Sequence, residues 1–416
     1  MSSIPPISSG LQRRPVQIGG REIFELIYFE RHGRGTVASR IRGVTSETVV
    51  EQYAVALQKH YPLLCGAEFD WQQMNLEGNA QCVGVIEDLG SWMMGAATTD
   101  GNSLPYLMLT SRCHEPSPEA AAKRRNDVVL HELVHLLQFQ TDTWQHWPKQ
   151  GRWGTADPNW WLHEAVALAI EAELATDYVG WYPWLWNWTT SPQLSIESDK
   201  NGSLAAPFLQ YLIRRLGRSF ASAIYRLTPN EVPSMRATDL LARAISDAEV
   251  RCSVSLRHPD MGSVFLEYCT DAGLVGTASS IHDPAIESSV GQRIRTEYFH
   301  GLPIDWSSRD AAIDHLGCRY FEFQLTSGRK LIAFRIIPDD SSSSMTLMAS
   351  LTLMHDSSNR GRTCFFQREL GDPGIVCRVS PTQDETRAVL TIANVAFGRG
   401  WALHDGATFH IRAEVA

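Results

Sequence analysis

The string His131-Glu132-Leu133-Val134-His135 is the most chemically pointed stretch of this 416-residue chain. On a helix, residues four apart share one face, so both imidazoles can reach one metal ion. Glu132 sits one step round, where its carboxylate can address a water held by that metal. This is the HExxH arrangement of zinc hydrolases. The flanks suit a buried helix, since Val128, Val129, Leu130, Leu133, Val134, Leu136 and Leu137 are apolar. The bland alternative is an amphipathic helix with two incidental histidines.

A catalytic zinc takes three protein ligands and keeps a fourth position open. A metzincin would place the third ligand as a histidine six residues beyond His135. That position is Thr141, and Gln138 stands where the accompanying glycine would be. The gluzincin route uses a glutamate on a second helix downstream. Trp161-Leu-His-Glu164-Ala-Val-Ala-Leu-Ala-Ile-Glu171 reads as such a helix, with Glu164 29 residues beyond His135. Glu171 lies two turns further along the same face, on the order of 10 Å from Glu164. That is too far to share the metal, but it suits a carboxylate that orients a ligand histidine from behind. Gly154-Thr155-Ala156-Asp157 offers Asp157 as an aspzincin-type ligand, although capping the helix before Pro158 is its simpler task.

Taken together, His131–His135 and Trp161–Glu171 resemble the gluzincin metallopeptidases. They look most like the aminopeptidase-type branch, whose second helix reads W-L-N-E-G-F-A with another glutamate seven residues on. Ala206-Pro-Phe-Leu-Gln-Tyr-Leu-Ile-Arg-Arg-Leu-Gly217 extends the match more weakly. The resemblance implies a zincin-like fold, His131, His135 and Glu164 as zinc ligands, and Glu132 as general base. The chain departs from the pattern in three places. His163 stands where the family has asparagine, so it either competes as a ligand or faces the cleft. The exopeptidase motif G-A-M-E-N is missing, and Gly95-Ala96-Ala97-Thr98 is a faint echo of it. The family's oxyanion-binding tyrosine would precede residue 206, but Asn201-Gly-Ser-Leu-Ala205 contains none. Tyr178, Tyr182, Tyr211, His258 and His300 are the candidates for that role. One oxyanion donor is worth roughly 100- to 1000-fold in rate, so this departure bears on proteolysis more than on the metal.

Two capped helices must position these residues. Ser117-Pro118-Glu119 combines a cap, a proline at the first position and an acid in the first turn, and predicts a helix to about Thr141. Asp157-Pro158 predicts a second, through about Ala175. Upstream, Glu22–Glu30, Cys82–Ile86 and Tyr106–Thr110 read as strands. Thr45–Tyr61 reads as a helix capped by Ser46 and stopped by Pro62. Downstream, helices are expected near 203–216, 218–227, 237–248 and 260–272. From about residue 315 the pattern alternates with period two, as in Phe321, Phe323 and Leu325 and again in Phe409, Ile411, Ala413 and Val415. The expected class is α+β, a zincin-like metallopeptidase domain followed by a C-terminal antiparallel β-sandwich. The expected order is an irregular arm over 1–20, a catalytic domain over 21–300 and an accessory sandwich over 315–416. The catalytic domain has an N-terminal α/β lobe to about 141 and a helical lobe after it.

Composition narrows the partners. A net charge of −9 argues against a nucleic-acid partner. No apolar run approaches 18 residues, which argues against a membrane span. The opening Met1-Ser-Ser-Ile-Pro-Pro-Ile-Ser-Ser-Gly10 lacks the charged and apolar regions of a signal peptide, so a cytoplasmic location is expected. Eight cysteines without a Cys-x-x-Cys suit reduced thiols, with Cys364 and Cys377, flanking a plausible hairpin, the first pair to check. Nine of the thirteen tryptophans fall between Trp144 and Trp188. They read either as packing or as a cleft lining that selects a hydrophobic or aromatic substrate. No nucleophile elbow or phosphate-binding glycine loop competes with the metal motif.

The expected activity is zinc-dependent hydrolysis of a peptide or amide bond. The rivals are a zinc enzyme of this scaffold acting on one small molecule or tailored peptide, and a non-catalytic zinc-containing binding protein. The ligand routes separate by elemental analysis. About one zinc per chain is expected, lost in Glu164→Ala and kept in Asp157→Ala.

Overall fold

The computed structural model describes residues 11–29, 45–74, 82–89, 95–99, 105–113, 115–141, 143, 159–174, 183–199, 201–226, 236–252, 260–273, 296–308, 312–325, 331–339, 347–355, 360–367, 374–396 and 406–415. The fold is mixed α/β, with three sheets. Contacts divide the chain into two compact units.

The first unit comprises Met1–Pro148, Val166–Tyr178 and Gly217–Ser234. Its sheet has five strands, β1 (Leu11–Ile18), β2 (Arg21–Phe29), β3 (Cys82–Glu87), β4 (Gly95–Thr99) and β5 (Pro105–Thr110). Their order is β1-β2-β3-β5-β4. β2, β3 and β5 run parallel, while β1 and β4 are antiparallel to their neighbours. Parallel neighbours need a crossover, and α1 (Glu47–Leu64) supplies it between β2 and β3. The side chain of Ser46 caps α1 by accepting from the Val49 amide, as expected. Pro62 does not stop the helix. The last turn closes through the Cys65 amide on the Tyr61 carbonyl, and Tyr61 and Leu64 are buried. β1 is likewise a strand where an irregular arm was expected. Val16 is its one buried side chain, so it is held by backbone pairing to β2 rather than by an apolar pattern.

The central helix of this unit, α2 (Pro118–Phe139), begins where the sequence said it would. Ser117 Oγ accepts from the Ala120 amide at 3.1 Å, and Pro118 needs no hydrogen-bond partner at the first position. α2 packs on α1, β4 and β5. Its Val129, Leu130, Leu133, Val134, Leu136 and Leu137 are at most 1% exposed, which fixes the rotation of the helix and therefore the direction of its histidines.

α3 (Trp160–Leu174) is one continuous helix, and the division between the units falls within it, between Ala165 and Val166. Asp157 and Pro158, expected to open it, lie outside the described residues. The second unit also holds α4 (Pro183–Thr190), α5 (Ala206–Leu216), α7 (Ala237–Cys252) and α8 (Met261–Ala272), whereas the short α6 (Phe220–Ala223) belongs to the first.

Nine strands follow, β6 (Thr296–Phe299), β7 (Ile304–Ser307), β8 (Gly317–Gln324), β9 (Ile332–Pro338), β10 (Leu347–His355), β11 (Arg360–Gln367), β12 (Ile375–Val379), β13 (Glu385–Asn394) and β14 (Phe409–Val415). They form sheets ordered β11-β10-β13-β8-β6 and β12-β9-β14-β7. Phe321, Phe323, Phe334, Ile336, Leu351, Leu390, Phe409 and Ile411 meet in one apolar core shared by both. The pairing is antiparallel except at β6, which runs parallel to β8. The seven cysteines with described side chains are free thiols. Cys364 and Cys377 do not flank a hairpin, since β11 and β12 belong to different sheets. None of the described helices is long and apolar enough to cross a membrane.

One buried group makes the first unit sensitive to acid. His60 of α1 donates through Nε2 to Asn126 Oδ1 at 2.8 Å, and burial pushes its pKa from 6.5 down to about 4. The unfolded chain therefore binds this proton more readily between pH 6.5 and 4. The folded state is favoured in full above 6.5 and loses that advantage as pH falls through about 4. Denaturant titrations from pH 7 to 4 should show a loss of on the order of 2–3 kcal/mol from this group. His60→Gln should flatten that part of the slope.

Candidate metal centre

α2 carries His131 and His135 on one face, and α3 carries Glu164. Their ligand atoms all lie within 4.8 Å of one another. The two Nε2 atoms are 3.1 Å apart. A tetrahedral ion bonded to two nitrogens at about 2.0–2.1 Å holds them about 3.3 Å apart, so the pair has the spacing of a ligand set.

The contacts of the outer nitrogens bear on which tautomer each ring takes. His135 Nδ1 lies 2.8 Å from Gln138 Oε1, and Gln138 donates its Nε2 to Tyr225 Oη at 3.0 Å. With its NH₂ group used there, the amide presents an acceptor to His135, whose proton then sits on Nδ1. His131 Nδ1 lies 3.3 Å from Glu171 Oε2. When Glu171 is ionised, it likewise takes the Nδ1 proton. Both Nε2 lone pairs then face each other, an arrangement a cation between them turns from repulsive to favourable. Glu171 is fully enclosed. Burial pushes its pKa up to about 8, against the hydrogen bond and charge of His131, which pull it down. Glu171 thus lies against His131, one of the two histidines it was expected to be able to orient.

Glu164 is steadied by its own helix. Trp160 Nε1 donates to Glu164 Oε1 at 2.8 Å, one turn back. His163, buried completely, sets its ring against Trp160 at 5.6 Å and does not belong to the metal-holding group. Gly202 explains why the 199–203 loop can lie against the same turn. It has φ +71°, and a Cβ there would come within 2.3 Å of the Ala165 nitrogen and 2.7 Å of the Trp161 oxygen. Asp199 holds the loop by accepting from the amides of Asn201 and Ser203.

Glu132 is buried and directed toward the edge strand β4. A Cβ on Gly95 would lie 2.9 Å from Glu132 Cγ and 3.1 Å from its Oε1. Only glycine lets the strand pass this close. The stretch Gly95–Thr98 thus lies on the strand against the Glu132 side chain.

The remaining candidates divide clearly. Tyr211 is buried, with its ring 5.5 Å from that of Tyr268 and its hydroxyl closed to solvent. His300 is exposed just after β6. Tyr178, Tyr182, His258 and Asp157 lie outside the described residues. So do Trp144, Trp147, Trp153 and Trp181. Trp161 and Trp188, each 1% exposed, are packing residues. Sequence reasoning missed Gln138, Tyr225 and Trp160, the last of which lay in view one turn before Glu164.

No family model matches the sequence, and no curated protein matches it. Among solved structures, it shows similarity to CorA, a surface-associated copper-binding protein important in copper acquisition by Methylomicrobium album BG8. That match has TM-score 0.22 and 9% identity, over 29% of this chain and 98% of that one. Another is the enzymatically active domain of tailspike protein 4 of bacteriophage CBA120, with TM-score 0.20 and 11% identity, over 27% of this chain and 18% of that one. At these scores neither informs fold or function.

Gly202→Ala tests the support of Glu164. The left-handed conformation costs an L-residue about 1–2 kcal/mol before any overlap is counted. The variant should lose more than about 2 kcal/mol in denaturant unfolding, and bind zinc more weakly in chelator competition because the Glu164 turn must shift.

Proposed function

We propose that this chain is a gluzincin-like zinc hydrolase that cleaves a peptide or amide bond, with a zincin-like catalytic domain and a C-terminal β-sandwich as an accessory part. The observation that carries the reading is the convergence of His131, His135 and Glu164 with both histidine Nδ1 atoms held from behind. Two imidazoles and one carboxylate are the donor set of catalytic zinc in several hydrolases.

Zinc held by these three residues would supply a Lewis acid that polarises a carbonyl and lets water lose a proton near neutral pH. Glu132 takes that proton on a carboxylate oxygen as the water oxygen bonds to the carbonyl carbon. It then returns the proton to the nitrogen as the C–N bond breaks, releasing an amine and a carboxylic acid. Glu171 and Gln138 keep the imidazoles in the ligating tautomer throughout. β4 supports a peptide rather than a compact substrate. Among the described residues it pairs only with β5, and its other edge offers backbone groups to an extended chain beside Glu132.

Glu132→Gln should lower turnover of a peptide library by about 10²- to 10⁴-fold while elemental analysis still finds zinc at the wild-type level. Equal activity in the variant would remove Glu132 from the chemistry. A zinc-loaded wild type inert toward every peptide, yet active on one small compound, would replace peptide hydrolysis with that reaction.

A further inference from the structure

We infer that Gln138, whose amide is hydrogen-bonded to Tyr225, is the positioning residue that holds His135 in the tautomer able to ligate a metal. This rests on the metal-site reading above. Gln138 is completely buried and Tyr225 is 2% exposed. Their contacts, 2.8 Å from His135 Nδ1 to Gln138 Oε1 and 3.0 Å from Gln138 Nε2 to Tyr225 Oη, form a relay closed to solvent.

The logic lies in the amide's two unlike ends. If Gln138 offered its NH₂ group to His135, the ring would accept at Nδ1 and carry its proton on Nε2. The atom facing His131 and Glu164 would then have no lone pair for a metal. In the structure Nε2 is given to Tyr225 Oη, so Oε1 is the end turned toward His135. Tyr225 is itself anchored. Its ring lies 5.4 Å from Trp71, its carbonyl accepts from Thr143 Oγ1 at 2.6 Å, and its amide donates to the Ser222 carbonyl at 3.0 Å. The following residue, Arg226, donates to the Asp70 carboxylate at 2.6 Å. A segment 90 residues from His135 in sequence thus sets the proton on a ligand. The two histidines are supported differently, His131 by a carboxylate and His135 by a neutral amide.

The test uses the full-length protein and reads tautomer and affinity separately. In ¹⁵N–¹H correlation spectra of the metal-free protein, His135 should carry its proton on Nδ1, and Gln138→Met should shift it toward Nε2. Zinc affinity by chelator competition should fall about 10- to 100-fold in Gln138→Met. Gln138→Glu keeps an acceptor and should recover affinity to within a few-fold of wild type. Tyr225→Phe should weaken binding less, and the double variant should fall short of the product of the two single losses because they act as one unit. A wild-type His135 protonated on Nε2, or a folded Gln138→Met that binds zinc like wild type, would overturn the inference. Should Gln138→Met not fold, the wild-type tautomer alone decides. A wild type with the Nδ1 proton that binds no zinc would overturn the metal reading while supporting the positioning role.

Discussion

Two imidazole nitrogens facing each other at 3.1 Å impose the constraint around which the α2–α3 pair is organised. Neutral imidazole has one donor and one acceptor nitrogen. When buried groups claim the donor of each ring, the acceptors are left opposed. Such an arrangement is sustained by a shared proton or by a cation. Much of the surrounding structure keeps the rings from turning away. The apolar residues of α2 fix its rotation on the sheet. Glu171 and Gln138 occupy the outer nitrogens. Trp160 and Gly202 settle the turn of α3 that presents Glu164.

Charge adds a second consistency. In the proposed site a divalent cation faces Glu164 directly and Glu171 through His131, and these two carboxylates balance it. Glu132 is then the extra negative group, and it is also the one directed toward β4. Burial alone favours the protonated form of Glu171, so a cation on the far side of His131 and the ionised state of Glu171 reinforce each other.

The parts of this arrangement that were legible in sequence are the ones governed by short-range periodicity. His131 and His135 share a face because they are four apart. Glu171 shares the face of Glu164 because it is seven residues on, two helical turns. Ser46 and Ser117 announce their helices because a cap acts over three residues. What escaped depends on contacts between distant segments. Gln138 read only as the wrong residue for a metzincin glycine, and nothing near it pointed to Tyr225. Gly202 appeared as part of a stretch lacking a tyrosine, whereas its meaning is the close approach of α3. β1 was hidden because an edge strand with polar side chains is specified by its partner's backbone. Trp161 and Trp188 look identical in sequence to cleft-lining tryptophans, and only burial separates the two roles.

The two sides of the proposed site therefore have different physical origins. In the proposed site, metal retention would rest on the enclosed hydrogen bonds behind His131, His135 and Glu164. In the proposed function, substrate contact would come from the edge of β4 that has no strand partner among the described residues, through backbone groups that recognise an extended chain. Tyr211 is committed to an aromatic cluster with Tyr268. The sequence between α2 and α3 carries Trp144, Trp147 and Trp153 and directly joins the two ligand-bearing helices.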